Sequence, residues 1–236
     1  LRGEPLKGKT LVEVFAGVPT QGGAGLSACW EQAGGIAIRY DWSIDSSQNV
    51  TQDPFFWQAQ LEAPAEVYHW AFPCTNLTKA NTTSVPPTGR TTDNPYGDVS
   101  NPKVADVNAL VRHCVGYIIA LLKRGAHILI ENPLFSHLWE FSELLELMGI
   151  PPCYLVRADY CRHGTPYQKP SVWWSTNPYI VHIAGVCTHP RPHPERLEGA
   201  RTRQSSPYPR QLVERICEAF VAWFNSEHAV ENPVPG

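Results

Sequence analysis

The chain of 236 residues has one methionine, no marked excess of either charge, no repeating cysteine spacing and no internal repeat. Each shortage excludes something. No apolar run reaches the roughly 20 residues of a bilayer span, so no contact with a membrane is expected. The net charge is −3, so a general nucleic-acid coat is excluded, and any phosphate contact requires a local basic face. Seven cysteines, odd in number and scattered, argue against a disulfide framework and for a reducing, intracellular compartment, nucleus or cytoplasm. The glycosylation-type triplets at Asn49, Asn76 and Asn81 are then chance matches. Leu1-Arg2-Gly3-Glu4 offers neither an initiator methionine nor a signal-peptide pattern, which reads as a piece of a longer polypeptide.

What is present fits one globular domain. Hydrophobic residues make up 43% of the chain, enough at this length to bury a full core. Eight tryptophans against one methionine point to aromatic-lined surfaces. Thr10 to Phe15 is β-rich and breaks at Ala16-Gly17; Gly22, Gly23 and Gly25 then precede a helical pattern from Leu26 to Ala33. Strand, glycine turn and helix open a doubly wound fold, with the ligand at the carboxyl end of the strand. A second strand, Gly35 to Tyr40, ends at Asp41, about 20 residues past the turn, where such folds place a carboxylate on a ribose. A nucleoside-containing cofactor is the expectation.

Asp53 opens a short helix, and Glu66 to Phe72 forms a strand that stops at Pro73. Pro73 biases Phe72 toward extended geometry, so Cys74 leaves the strand in a set direction. Residues 80–103, dense in Thr, Asn, Pro and Gly, read as a long loop. Val104 to Lys123 has apolar residues at three- and four-residue steps and is an amphipathic helix stopped by Gly125. Ala126 to Ile130 is a buried strand ending in Glu131-Asn132-Pro133. A helix near Leu138 to Met148 and strands at 153–156, 171–175 and 179–183 follow, the last two antiparallel. An amphipathic helix from Gln211 to Phe224 closes the chain. The domain is then a core over 10–176, a small segment over 177–208 and a helix over 209–225 packing back on that core. Alternation of strands and helices implies an α/β sheet with right-handed crossovers.

Three strand ends carry, in order, VEVFAG (Val12 to Gly17), FPCTNLT (Phe72 to Thr78) and IENP (Ile130 to Pro133). In this order and placement the chain resembles the DNA cytosine-5 methyltransferase family over most of residues 10–176. The resemblance implies a Rossmann-like methyltransferase fold, doubly wound with a mostly parallel sheet, and S-adenosylmethionine as cofactor. Phe15, Ala16, Gly17 and Pro73 would border the cofactor, with Asp41 on its ribose and Asp53 near its adenine amino group. Cytosine C5 is too weak a nucleophile to take a methyl group from a sulfonium unaided. A thiolate therefore adds to C6 first, the role implied for Cys74. Its thiol should be partly exposed, beside basic residues that lower its pKa, whereas Cys114 and Cys217 lie on apolar helix faces and should be inert. Glu131 would engage N3 with a shared proton, and Asn132 would hold the turn in place. The partner is DNA presenting a flipped or single-stranded cytosine, with the loop Lys79 to Asn101, which contains Arg90, over it.

The chain departs from the family pattern in several places. Val18-Pro19-Thr20-Gln21 lengthen the glycine turn, Thr75 and Thr78 stand where the family has Gln and Ser, and Pro133 follows Glu-Asn. Arg162, in Asp159 to Gly164, replaces the family's Gln-x-Arg-x-Arg as the candidate base or phosphate contact, with Lys169 close by. About sixty residues follow Trp174, too few for a usual target-recognition domain. Specificity would be rudimentary or come from a partner chain or parent-protein domain. A silent relative that binds DNA or a partner, and an enzyme acting on RNA or transferring another group, are the alternatives. Cys161, His163, Cys187, His189 and His193 are spaced more loosely than structural zinc pairs. They are read as buried cysteines and surface histidines with no metal, a metal clip being the alternative.

Overall fold

The structure, a computed structural model, describes residues 3–17, 25–79, 87–150, 152–190, 192–197 and 207–231. Six strands form one sheet: β1 (Thr10–Val14), β2 (Ile36–Tyr40), β3 (Val67–Ala71), β4 (His127–Pro133), β5 (Tyr154–Asp159) and β6 (Pro170–Ser175), in the order β2-β1-β3-β4-β6-β5. The first four strands are parallel, while β6 runs antiparallel to both β4 and β5. The fold is α/β with a mixed, mostly parallel sheet.

Side chains alternate across the sheet and fill two cores. On one face Tyr68, Trp70, Ile128 and Ile130 meet Trp57 of α2 (Pro54–Glu62), Val111 and Ile118 of α3 (Pro102–Leu122) and Leu144 of α4 (Ser142–Met148). On the other face Leu11, Val67, Leu129 and Trp173 meet Trp30 of α1 (Leu26–Gln32) and Leu212, Ile216 and Phe220 of α5 (Arg210–Glu231). Because β4 is covered on both sides, its run Ile128-Leu129-Ile130 carries no polar alternation. Leu212, Ile216, Phe220 and Phe224 of α5 all lie in this second core.

Three elements start with the same device, an Asx residue followed by proline. Asp53 accepts from the Phe56 amide at 3.1 Å, Asn101 from Lys103 at 3.1 Å and Asn177 from Tyr179 at 2.9 Å. The side-chain oxygen satisfies an orphan amide while Pro54, Pro102 or Pro178 sits at the first helical position, where no amide is needed. At Asn177-Pro178 this corrects the sequence expectation of a strand over 179–183. The segment Pro178–Ile183 is a 3-10 helix, and β6 pairs instead with β4 and β5. The helix expected near 138–148 is split at Phe141 into a 3-10 turn, His137–Glu140, and α4. The expectation about apolar runs also needs amending. By length and composition alone α3 reaches the range of a spanning helix, with a mean hydropathy of 1.4 over its best window. Its apolar face, Val104 to Leu121, lies against the sheet, as the core helix of an α/β domain does.

Candidate active site

The chain leaves β1 for its neighbour β2 on one side and returns to β3 on the other. That reversal lies at the carboxyl ends of β1 and β3, the position at which open α/β sheets bind ligands. Phe15 follows β1 with φ of +62°, the one described non-glycine residue in the left-handed region. Its ring lies 5.8 Å from that of Phe72, which follows β3. Gly17 also has positive φ, and a β-carbon added there would meet nothing within 4 Å, so its backbone faces open space. Its amide donates to Asp41 Oδ2 at 2.9 Å, tying the end of β1 to the end of β2. Asp41 Oδ1 accepts from the Ser43 amide at 2.7 Å and from the Ser43 hydroxyl. Phe15, Ala16, Gly17 and Asp41 are therefore neighbours, whereas 18–24, including the inserted tetrapeptide, lie outside the described residues. Asp53 serves the fold itself, since Oδ1 caps α2 and Oδ2 accepts from the Tyr40 hydroxyl at 3.0 Å.

Cys74 opens a tight turn whose first carbonyl accepts from the amides of Leu77 and Thr78 at 3.0 and 2.9 Å. The turn is stitched to the segment after β4, with His137 N donating to Leu77 O at 2.7 Å and Lys79 N to Phe135 O at 2.8 Å. Asn132, fully buried, donates from Nδ2 to Phe72 O at 2.8 Å. Register places Ala71 beside Glu131, so the thiol turn and the Glu-Asn pair share one end of the sheet. Glu131 Oε1 and Asn132 Oδ1 are buried and have no hydrogen-bond partner among the described residues. Buried polar atoms without partners are costly, which makes these two strand-end oxygens candidate ligand contacts.

Two residues behind Glu131 escape sequence reasoning. Tyr208, in the Pro207-Tyr208-Pro209 entry to α5, has its hydroxyl 2.9 Å from His69 Nε2 and 3.4 Å from Glu131 Oε2. His69 Nδ1 is 3.3 Å from the Leu129 carbonyl. The phenol has one proton for two neighbours. Neutral His69 donates its single N–H from Nδ1 to the Leu129 carbonyl, so Nε2 accepts from the phenol, and Tyr208 links His69 to the shell around Glu131. Burial, with the Glu131 charge beside it, keeps the phenol well above its ordinary range, and burial takes His69 down to about 4. His69 and Trp173 stack at 5.6 Å, closing this shell with aromatic surface. The only sequence signal was a histidine and a tyrosine on apolar stretches, which is also how ordinary core residues look.

The electrostatics correct one expectation. Cys74 is partly exposed, as a strand-end thiol should be, yet its pKa is raised rather than lowered. Burial is the main cause and the Glu131 charge adds to it, while Lys169 pulls the other way. Lys169, with its ammonium 4.8 Å from the Tyr160 ring centroid, is thus the cation that acts on the thiol. Arg162 is exposed and its guanidinium donates to Thr188 at 3.2 Å. Arg90 is buried, donating to Asn108 Oδ1 at 2.9 Å and packing over Phe141, so it fixes the loop instead of facing a ligand. Lys79 is paired with Glu140. Residues 80–86 of the expected lid, Lys79 to Asn101, lie outside the described residues. Cys161, Cys187, His189 and His193, loosely spaced in sequence, converge in space, with one ligand atom of each within 4.8 Å of the others. His163 is not part of that group; it is buried beneath the same turn. A scan against models of protein families and a search of curated proteins both return no match for this chain.

Proposed function

We propose that this chain has a doubly wound, Rossmann-like methyltransferase fold and transfers a methyl group from S-adenosylmethionine to C5 of cytosine in DNA. The observation that carries the reading is the shared strand end of Cys74, Glu131 and Asn132, with unpartnered oxygens on the last two. The residues around Gly17 fit the cofactor: an open backbone at Gly17, two flanking aromatic rings and a carboxylate at Asp41. Three donors already occupy Asp41, so one of its roughly four lone-pair positions is left for a ribose hydroxyl. Phe15, Ala16, Gly17 and Pro73 would border the cofactor, whereas Asp53 is engaged by the Phe56 amide and the Tyr40 hydroxyl. Bound S-adenosylmethionine supplies an electrophilic methyl group.

The protein's part follows from the site. Cys74 loses its proton as Sγ adds to C6, with Lys169 stabilising the thiolate that burial disfavours. Glu131 meets N3 with a shared proton, while the Tyr208 hydroxyl, 3.4 Å from Glu131 Oε2, backs the carboxyl from the other side. Asn132 keeps the Phe72 carbonyl, and with it the Cys74 turn, in place. After loss of the C5 proton, Cys74 departs and the double bond returns. A stacked cytosine cannot reach a thiol at a sheet edge, so the base enters flipped or single-stranded. Arg162, exposed on the turn after β5, is a candidate phosphate contact. Incubation with the cofactor and an oligonucleotide containing 5-fluorocytosine should give a covalent, methylated adduct at Cys74 by mass spectrometry. Absence of any adduct with an intact fold would overturn the reading.

A further inference from the structure

We propose that Cys161, Cys187, His189 and His193 form a closed, four-ligand structural site for zinc, which clips the segment 184–193 to the edge strand β5. Cys161 sits on the 3-10 turn Tyr160–His163 that follows β5, and the other three lie on a segment about 26 to 32 residues later in the chain. Cys187 Sγ is 3.5 Å from His189 Nδ1 and 3.2 Å from His193 Nε2. Zinc bonds of about 2.3 Å to sulfur and 2.0 Å to nitrogen, set at tetrahedral angles, separate sulfur from nitrogen by about 3.5 Å. The side chains are already at ligand spacing. Two thiolates and two imidazoles neutralise a divalent ion and leave no open position, which describes a structural centre with a borderline-soft metal.

A second observation supports the clip. None of the described residues from 184 to 197 is buried, so this segment has no apolar core to hold it. It nevertheless runs along β5: Asp159 N donates to Gly185 O at 2.8 Å, Gly185 N to Arg157 O at 3.0 Å, and Cys187 N to Asp159 Oδ2 at 2.9 Å. Asp159 is itself fully buried and gripped by the Arg157 fork at 2.7 and 2.9 Å. Strand β5 is an edge of the sheet, and an edge left open pairs with other chains. A metal cross-link substitutes for the missing hydrophobic contacts and keeps that edge covered. The clip stands whether or not Cys74 transfers methyl groups, because the two sites share no residue.

The test uses the whole chain, purified under reducing conditions. Elemental analysis should give one zinc per chain, and replacement by cobalt should give the visible bands of a tetrahedral site with thiolate charge transfer. Cys187→Ser and His193→Ala should each lose the stoichiometric metal, with faster hydrogen exchange at the Asp159 and Gly185 amides, while Cys74→Ser should keep it. The cobalt spectrum needs no variant, so a misfolded mutant cannot obscure the answer. Metal at background level in the wild type, cobalt bands without thiolate character, or full zinc retention by Cys187→Ser would each overturn the proposal.

Discussion

The Asn132 side chain reaches from the end of β4 to the carbonyl of Phe72 at 2.8 Å, so one strand fixes the backbone from which the next delivers its thiol. Asn132→Ala leaves that carbonyl buried without its donor, at a cost of about 1–3 kcal/mol. Urea denaturation should show the loss as a lower midpoint with an unchanged slope. Adduct formation at Cys74 should slow as well, because the turn loses its anchor. A variant as stable as the wild type would show that Asn132 does not hold the turn.

The amide of Gly17 and the carboxylate of Asp41 tie the ends of β1 and β2 together. Asp41→Ala removes that tie and the acceptor proposed for the ribose. Loss of one charge-assisted hydrogen bond, about 1.5–3 kcal/mol, corresponds to roughly 10- to 100-fold weaker cofactor binding. Calorimetry with S-adenosylmethionine and with its demethylated product should show the same loss for both, since the ribose is common to them. Undiminished affinity in Asp41→Ala would remove the ribose contact from the proposal.

Strand β4 was legible because burial on both faces leaves an unbroken apolar run, Ile128-Leu129-Ile130. The strand-end positions of Cys74, Glu131 and Asn132 were legible because each sits where a β-rich run stops. What escaped were relations made only by packing. Tyr208 reaches Glu131 across 77 positions, and the four metal-ligand candidates meet only after the segment folds along β5. The segment 179–183 looked like a strand because Ile180, Val181 and Ile183 favour β structure. The Asn177 cap and Pro178 overrode that preference locally. Arg90 and Arg162 show the limit for charges, since sequence marks a cation but not what it faces.

His69 gives stability a pH dependence of known sign. Its folded pKa is about 4, below the ordinary 6.5, because burial disfavours the charged ring. Between these values the unfolded chain binds a proton that the folded chain does not. The contribution is complete above about pH 6.5 and is lost as pH falls toward 4, amounting to about 3 kcal/mol. His69→Gln should lower stability at pH 7 by losing the Tyr208 and Leu129 contacts. The difference between wild type and variant should then shrink on acidification over this window, as read by denaturation series at several pH values. A constant difference would mean that His69 titrates alike in both states.

The last prediction separates the thiol from the groups that tune it. Burial raises the Cys74 pKa and Lys169 opposes the rise, so the reactive thiolate fraction increases with pH and the rate of adduct formation should climb through and above neutrality. Lys169→Met removes the opposing charge and should move the midpoint of that profile to higher pH, by about one unit for a cation near the surface of the site. At neutral pH the adduct then forms about tenfold more slowly, and raising the pH restores the rate. Glu131→Gln removes a negative neighbour and should move the midpoint the other way, yet it loses the proton shared with N3, so its plateau rate should fall. Cys74→Ser should form no adduct at any pH while still binding the cofactor. Three variants are thus expected to differ in kind: one shifts the profile upward, one lowers the plateau and shifts it downward, and one abolishes the reaction. Quench-flow trapping on the 5-fluorocytosine oligonucleotide across pH reads all three, and a Lys169→Met profile identical to the wild type would show that another group ionises the thiol.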